Sequence, residues 1–424
     1  MSGFLITRNQ DAERSFIARR GPDLTRTFEI EGYHFTHYLL NVDDKRAPQP
    51  FVDGELVCVF DGEIYNTPSV GSDPGTLTSL YRQHGDDFSR HLDGEFGVAI
   101  YDFGRRLMVL ATDPFGTKPL FWNGTEAGSY SSGLGAAEQV APNTVIVVDL
   151  DRGESNRRVG EPFDFDHQEK ETYDDWIVAF ERAVSKRATD GCYIPLSAGY
   201  DSGGIDCALR QLGIKYKAYS VEGEENLQIL RQRNIDGEIL CMGADDIAAQ
   251  AAFLRVHAEK ATYRVTRNGV LQECNMLEDR ACCGLALIHS LARCEGRNVF
   301  LSGQGGDEIL DARRDWPGYL FPDKLRQWSD FSDGFQTAYL TKEDFVAGTF
   351  GAEGRFPFLD RAVVQEFLWL TSELKNRNYK APLHDYMTRC GYPFDRGVKT
   401  GFCPLRGADN DWSWTEVPAL KHDR

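Results

Sequence analysis

A short run of small and hydroxyl residues has the composition of an anion-binding loop. Tyr193–Leu196 is mainly apolar, as in a strand, and Ser197–Ser202 reads Ser-Ala-Gly-Tyr-Asp-Ser. Apolar residues then recur at helical spacing from Ile205 to Leu212. Backbone N–H groups at a helix start can bind phosphate oxygens, and small side chains allow close approach. The segment therefore predicts a pyrophosphate loop, the alternative being an ordinary strand-to-helix turn. It is not a Walker loop, because no Gly-Lys-Ser/Thr follows the glycines.

A second loop of similar composition ends in two carboxylates. Residues 299–308 read Val-Phe-Leu-Ser-Gly-Gln-Gly-Gly-Asp-Glu. Two loops at the carboxyl ends of strands in one parallel sheet would meet over the same crevice. Asp201 and Asp307 could then share a Mg²⁺ ion bound to ATP phosphates, since Mg²⁺ favours one or two carboxylates plus phosphate oxygens. Taken alone, Asp307 and Glu308 also fit a charge pair at a helix N-terminus.

The elements that must position these loops differ between the two halves of the chain. Up to about residue 150, short β-type runs alternate with turn residues, and one helical pattern covers about Thr76–His84. Asp151–Glu171 is polar and aperiodic, which indicates a linker. From Thr172 onward helices and strands alternate, which favours a parallel sheet covered by helices. The predicted strands are Tyr33–Val42, Leu56–Phe60, Phe96–Asp102, Leu107–Ala111, Thr144–Leu150, Tyr193–Leu196, Lys217–Val221 and Asn298–Leu301. The predicted helices of the second half are Thr172–Lys186, one after Ser202, about Ala244–His257 and about Cys282–Arg293.

Composition limits the class of protein. The chain has 424 residues, enough for two or more domains, and a formal net charge of −18, which argues against general nucleic-acid binding. Ten cysteines are scattered without a Cys-x-x-Cys pair, which indicates reduced thiols. The sequence has no 18-residue apolar run and no signal-peptide pattern at its start. We therefore expect a cytoplasmic protein with no membrane or nucleic-acid partner.

Together the two loops resemble those of the glutamine-dependent asparagine synthetase family, which includes β-lactam synthetases and lasso-peptide cyclases. Further matching motifs occur in the family's order, at residues 20–23, 60–66, 92–96, 113–120, 355–360 and 396–402. The resemblance implies a mixed α/β and α+β fold. Residues 1–160 would form an Ntn-hydrolase-like layered αββα domain, a degenerate glutaminase. Residues 170–424 would form a parallel-sheet ATP pyrophosphatase (PP-loop) synthetase domain.

The resemblance also implies roles for individual residues, with ATP and Mg²⁺ as cofactors. Asp201 and Asp307 would hold Mg²⁺. Lys399 would offset negative charge at the reacting acyl centre, although a surface lysine is the alternative. Glu273 would deprotonate or orient the nucleophile, with Glu278 as a rival in a loose register. The residues implied to bind the nucleotide are Leu196, Ser197, Gly199, Asp201, Ser202, Ser220, Val221, Gly303 and Gly305.

The first half departs from the family where a glutaminase would work. Ser2 stands where active members carry cysteine directly after the initiator methionine, and Asp61 replaces the first asparagine of Asn-Gly-Glu-Ile-Tyr-Asn. A carboxylate in the oxyanion hole repels the charge that an amide would stabilise. Arg20 and Asp93, which the resemblance associates with glutamine binding, remain. The N-terminal domain is therefore predicted to have lost glutamine hydrolysis.

These patterns predict a ligase that adenylates a small-molecule or peptide carboxylate, releases AMP and pyrophosphate, and captures the acyl group with an amine or ammonia. Ring closure within one substrate is included. Alternatives are a glutamine- or ammonia-dependent asparagine synthetase-type amidotransferase, a non-catalytic nucleotide-binding scaffold, and a tRNA- or nucleotide-modifying pyrophosphatase. Residues 269–283 and 311–344 are expected to shape the substrate pocket, and a homodimer is one expected assembly. Ala198, where the family carries glycine, would be penalised if the loop required a positive φ there.

Overall fold

The computed structural model describes residues 2–42, 49–66, 73–222, 227–233, 238–260, 262–267, 270–310 and 335–396, and the short strand Thr415–Glu416. Predictions that concern Lys399, or the pocket range from 311 to 334, lie outside these residues.

Two six-stranded antiparallel sheets form the first half. In spatial order, the first contains Glu138–Gln139, Phe121–Asn123, Glu126–Gly128, Ser2–Thr7, Tyr33–Leu39 and Leu24–Ile30. The second contains Ser155–Val159, Thr144–Asp149, Leu107–Thr112, Gly94–Asp102, Leu56–Ile64 and Phe51–Asp53. Alternate residues such as Phe4, Val59 and Leu110 share one buried cluster between the sheets. The helix Asp73–His84 and the 3₁₀ turn Gly85–His91 pack on the outer face of the second sheet.

A five-stranded parallel sheet forms the core of the second half. Its strands lie in the order Glu238–Cys241, Tyr216–Glu222, Cys192–Pro195, Val299–Leu301 and Glu353–Arg355. A small antiparallel sheet contains Thr262–Arg267, Val270–Asn275 and Thr415–Glu416. The described helices here are Asp174–Arg187, Tyr200–Gln211, Leu227–Arg233, Ala244–His257, Arg280–Cys294, Gly306–Leu310, Phe335–Thr349, Arg361–Trp369, Ser372–Asn376 and Ala381–Arg389. Helix Ser15–Arg20 belongs to the first half, and 3₁₀ turns occupy Met276–Glu278 and Pro357–Leu359.

The predicted fold class is confirmed: antiparallel sheets precede a parallel α/β sheet. The periodic helices were well placed, and Ala244–His257 has the predicted bounds. The linker prediction was wrong in part, because Ser155–Val159 is a strand paired with Thr144–Asp149. All five of its residues are exposed, so it has no hydrophobic alternation to identify it. The domain bounds at 160 and 170 stay a prediction.

Buried charged groups connect the two halves. Arg187, on the helix Asp174–Arg187, donates from Nε to Glu95 at 2.6 Å and from Nη1 to Asp360 at 2.6 Å. Lys118 is 1% exposed and donates to the backbone oxygen of Gly354. Such groups are costly to bury unless paired, so these contacts fix how the halves meet. In the part of the chain that the structure describes, no helix is both long and apolar enough to cross a membrane.

Candidate functional site

The first predicted loop joins the strand Cys192–Pro195 to the helix Tyr200–Gln211. Its hydroxyls close the loop internally: Ser202 Oγ lies 2.9 Å from Ser197 Oγ and accepts the Ser197 N–H at 3.0 Å. Ser197 Oγ also accepts the N–H of Gly199 at 3.1 Å. Ala198 is not among the residues with positive φ. The condition for a penalty on its Cβ is therefore not met, because the loop does not use the left-handed region there.

The second predicted loop lies directly against the first. A Cβ at Gly306 would come within 2.2 Å of Asp201 Oδ1, and one at Gly303 within 2.9 Å of the Asp201 Cβ. Gly305 adopts φ +94°, which a residue with a side chain rarely takes. The glycines are thus needed for the close approach of the second loop, which carries Asp307, to Asp201.

Lys380 lies between these two carboxylates, and the sequence analysis missed it. Its ammonium contacts Asp201 Oδ1 and lies 2.8 Å from Asp307 Oδ1, while the hydroxyl of Tyr379 donates to Asp307 at 3.2 Å. Lys380 is 1% exposed and has φ +48° at the start of the helix Ala381–Arg389. Burial opposes its charge, but the two carboxylates raise the pKa of Lys380, so it stays an ammonium. Lys380 is 179 residues from Asp201 in the sequence, so no local sequence pattern could identify it as part of the site.

Burial has the opposite consequence for the nearby carboxylate. It raises the pKa of Asp201 above the ordinary aspartate value, helped by the charge of Asp307 and opposed by Lys380. The side chain is 22% exposed, so water moderates the effect. With Lys380 protonated and both aspartates ionised, which for Asp201 requires a pH above its raised pKa, the cluster carries two negative charges and one positive charge. It therefore keeps a net attraction for a divalent cation.

A cavity of about 370 Å³ opens beside this cluster. Its lining includes Ser197, Gly199, Asp201, Ser202, Gly303 and Asp307 from the predicted set. The described parts of the predicted pocket ranges contribute Ala281, Tyr339, Lys342 and Glu343. The loops and the expected substrate-shaping segments thus border one space.

Glu343 is a titratable group of this cavity that the sequence analysis did not single out. Its two oxygens accept hydrogen bonds from Ser302 Oγ at 2.6 Å and Gln304 Nε2 at 3.0 Å. Burial raises the pKa of Glu343. The neighbouring Lys342 is paired with Asp279 at 2.9 Å. Glu343 is therefore a carboxylate that is fixed at the cavity wall and has a raised affinity for a proton.

The remaining predicted residues lie around this space. The Leu196 N–H donates to the backbone oxygen of Tyr219 at 2.8 Å, which places Leu196 beside the strand carrying Ser220 and Val221. These three residues are buried and, like Gly305, are outside the cavity lining. Glu273 pairs with Arg264 and Thr415 in the small antiparallel sheet, but its side chain lies outside the described structure.

At the position where the resemblance implies a glutaminase centre, Arg20 is surrounded by protein groups. Its guanidinium contacts Asp61 and Asp344, all with fully buried side chains. Its Nε donates to the Ser2 backbone oxygen at 3.1 Å, and the Ser2 N–H donates to Asp61 at 3.2 Å. The Ser2 hydroxyl is buried without a hydrogen-bond partner among the described residues. Burial lowers the pKa of Arg20, but the two carboxylates more than reverse this and keep it charged.

The second residue associated with glutamine, Asp93, is also engaged. Both of its oxygens accept hydrogen bonds from Lys186, at 2.9 and 2.7 Å. Lys186 belongs to the second half and also lies 2.5 Å from Asp360 of that half. Arg20 and Asp93 thus both contact groups that connect the two halves.

Comparisons with known proteins agree with the motifs. Residues 7–152 match the family described as the glutamine amidotransferase domain. The chain is 24% identical to asparagine synthetase [glutamine-hydrolyzing] 2 of Arabidopsis thaliana, over 87% of this chain and 70% of that protein. It is 22% identical to a putative asparagine synthetase [glutamine-hydrolyzing] 1 of Methanocaldococcus jannaschii, over 78% of this chain and 69% of that protein. The resemblance is thereby confirmed.

Among solved structures, the chain is similar to glutamine phosphoribosylpyrophosphate amidotransferase from B. subtilis complexed with ADP and GMP. That alignment covers 77% of this chain and 79% of the other, with a TM-score of 0.29 and 11% sequence identity. A likeness at this level carries no argument about the site.

Proposed function

We infer from its membership of the asparagine synthetase family that the chain is a carbon–nitrogen ligase. We propose that it adenylates a small-molecule or peptide carboxylate with ATP, releasing pyrophosphate. An amine or ammonia then displaces AMP to form an amide, without glutamine hydrolysis. The proposal includes a cytoplasmic location and a homodimer as the assembly to test. Glutamine-dependent amide transfer, the activity named for its relatives, is the alternative.

The contact of Arg20 with Asp61 and Asp344 carries the proposal that glutamine is not used. An N-terminal nucleophile site needs a reactive side chain and donors directed at the oxyanion. Here the side chain is a hydroxyl, and the Asp61 carboxylate accepts the Ser2 N–H. Arg20, which resembles a glutamine-binding residue, is held by carboxylates of the protein itself. The nitrogen would therefore come from a free amine or ammonia.

The cluster at the two loops fits ATP and Mg²⁺ by its donor set. Asp201 and Asp307 offer carboxylate oxygens, and the glycines of the second loop allow it to lie directly against Asp201. Mg²⁺, when bound, would neutralise charge on the phosphate oxygens. Lys380 would hold the two carboxylates together and add a positive charge beside the pyrophosphate. Lys399 keeps its proposed role at the acyl centre.

Glu343 supports the amine-capture half of the reaction. An attacking ammonium must first lose a proton, and a carboxylate with a raised pKa can accept it. Ser302 and Gln304 hold both Glu343 oxygens at the wall of the cavity. We propose Glu343 as the general base. Glu273, the base implied by the resemblance, stays a second candidate.

The decisive experiment measures AMP and pyrophosphate release from ATP and Mg²⁺ with a panel of carboxylates. The wild type is compared with Asp201→Ala and with Asp245→Ala, a control at an exposed aspartate. We expect AMP formation to depend on the carboxylate and to be abolished in Asp201→Ala but not in Asp245→Ala. Amide formation should be supported by ammonia or an amine and not by glutamine. ADP as the product would contradict adenylation, and glutamate release would restore the alternative. Absence of ATP binding would favour a scaffold.

A further inference from the structure

Arg233 is a fully buried arginine that contacts the backbone of the phosphate loop. It is the last residue of the helix Leu227–Arg233. Its Nη1 donates to the backbone oxygens of Ser197 and Gly199, each at 2.7 Å. Its Nε donates to the backbone oxygen of Pro393 at 2.9 Å. One guanidinium thus fixes two loop carbonyls and a segment close to the C-terminal end of the described chain.

Gly203 provides the room for this side chain. It lies in the first turn of the helix that follows the loop, where a Cβ would come within 2.7 Å of Arg233 Cζ. Glycine inside a helix is otherwise unfavourable, because it loses more conformational freedom on folding than other residues. The glycine after Ser202 therefore has a physical reason: it permits the arginine to reach the loop.

Neighbouring groups hold Arg233 in place. Arg210 donates to its backbone oxygen, and the ring of Tyr392 lies with its centroid 5.1 Å from Cζ. The hydroxyl of Tyr392 contacts Asp206, which lies on the same helix as Gly203. Pro393 precedes Lys399 by six positions in the sequence. The guanidinium therefore joins the phosphate loop to the start of the segment that carries Lys399.

We propose that Arg233 is a positioning residue for the pyrophosphate moiety of ATP, an inference that rests on the proposed function. Carbonyl oxygens repel phosphate oxygens, so a phosphate loop must keep its carbonyls away from the ligand. Arg233 does so for Ser197 and Gly199, while Ser197 and Ser202 order the loop through their hydroxyls. Without Arg233, the loop would bind Mg-ATP and pyrophosphate weakly although the fold persists.

The test is a double-mutant cycle with the full chain, using calorimetric Kd values for Mg-ATP and for inorganic pyrophosphate. Arg233→Ala and Gly203→Ala are each expected to raise the Kd of both ligands roughly tenfold or more. The reason is that the charge-assisted hydrogen bonds of Arg233 are lost in the first variant and displaced in the second. In the double variant, Gly203→Ala should add no more than about twofold, because the displaced side chain is already absent. Arg233→Lys should restore part of the affinity, since an ammonium can donate to the same carbonyls.

Control variants separate positioning from general destabilisation. Arg182→Ala removes an exposed arginine. Gly243→Ala adds a Cβ whose nearest neighbour, Asp246 Oδ2, is 3.6 Å away, so the added atom fits without a clash. Steady-state assays should show a raised KM for ATP with a smaller change in kcat. If folded Arg233→Ala or Gly203→Ala binds both ligands within about twofold of wild type, the proposal is overturned. If Arg233→Ala does not fold, the Kd values of Gly203→Ala and Arg233→Lys test the proposal instead. Wild type that binds neither ligand would overturn the proposed function as well, which distinguishes the two failures.

Discussion

Asp344 accepts a hydrogen bond from Arg20 Nη2 at 2.9 Å, across 324 residues of sequence. Asp344 lies on the helix Phe335–Thr349 of the second half, whereas Arg20 ends the helix Ser15–Arg20 of the first. Both side chains are fully buried. The residue that resembles a glutamine-binding arginine has thus become part of the contact between the halves.

Asp344→Asn is expected to destabilise the protein by about 3–5 kcal/mol, the usual cost of leaving a buried charge with too little compensation. Asp61 alone would then face the Arg20 guanidinium. The midpoint of urea unfolding measures the effect. The triple variant Arg20→Met/Asp61→Leu/Asp344→Leu should recover much of the loss, because apolar groups replace all three buried charges. A midpoint unchanged in Asp344→Asn would show that the pair does not hold the halves together.

Ser2→Cys is expected to release no more glutamate from glutamine than the wild type does. A thiolate can replace the hydroxyl, but Asp61 remains beside it and repels a developing oxyanion. The assay is glutamate formation over several hours, with unchanged unfolding as evidence that the variant is folded. Clear glutaminase activity in Ser2→Cys would mean that only the nucleophile had been lost.

Lys380→Met is expected to lower kcat/KM for AMP formation by roughly 100-fold or more, an effect in the range of charge-stabilising groups. Asp201 and Asp307 would then repel each other, and the pKa of Asp201 would rise further. The remaining activity should therefore increase with pH, because the carboxylate is ionised only above its pKa. Rates from pH 6.5 to 9 at saturating Mg²⁺ test this. Lys215→Met, at an exposed lysine, is the control. If the ratio of Lys380→Met activity to wild-type activity does not change with pH, Lys380 does not set the ionisation of Asp201.

Glu343→Gln is expected to separate the two half-reactions. The rate of adenylation, measured as exchange of labelled pyrophosphate into ATP, should stay within about threefold of the wild-type rate. The rate of amide formation should fall roughly 100-fold, as expected for loss of a general base. The deficit should shrink above the pKa of the amine, where no base is needed. Glu373→Gln, at an 85% exposed side chain, is the control. Equal loss in both half-reactions would assign Glu343 to substrate binding instead.

The sequence sufficed for the two loops because their chemistry is local: strand, small residues and helix start follow one another within about ten positions. From periodicity it also predicted the strands and helices that flank the first loop, but fewer than half of all the strands and helices that the structure describes. It could not identify Lys380 or Glu343, because each reaches the site from another element. The exposed strand Ser155–Val159 was missed because it has no apolar face: its contacts are its backbone ladder and the ion pairs of Arg157 and Arg158.

Lys375 provides a stability prediction that does not depend on the proposed reaction. It is fully buried, its ammonium nitrogen donates to the Leu368 backbone oxygen at 2.6 Å, and burial lowers its pKa to about 7. The unfolded chain binds a proton near pH 10.5, the ordinary value, while the folded chain does so only near 7. Stability contributed by this residue is therefore greatest above pH 10.5 and falls by up to about 1.4 kcal/mol per unit as pH decreases towards 7.

Lys375→Met should consequently stabilise the protein at pH 7.5, and its advantage should shrink as pH rises to 10. The difference in urea midpoints between variant and wild type isolates this residue, because every other titrating group is shared. Methionine fills a similar volume without a charge, so little packing is lost. Lys260→Met, at an exposed lysine, should show no such trend. If the difference is independent of pH, Lys375 carries its proton in the folded protein throughout this range, and the lowered pKa is wrong.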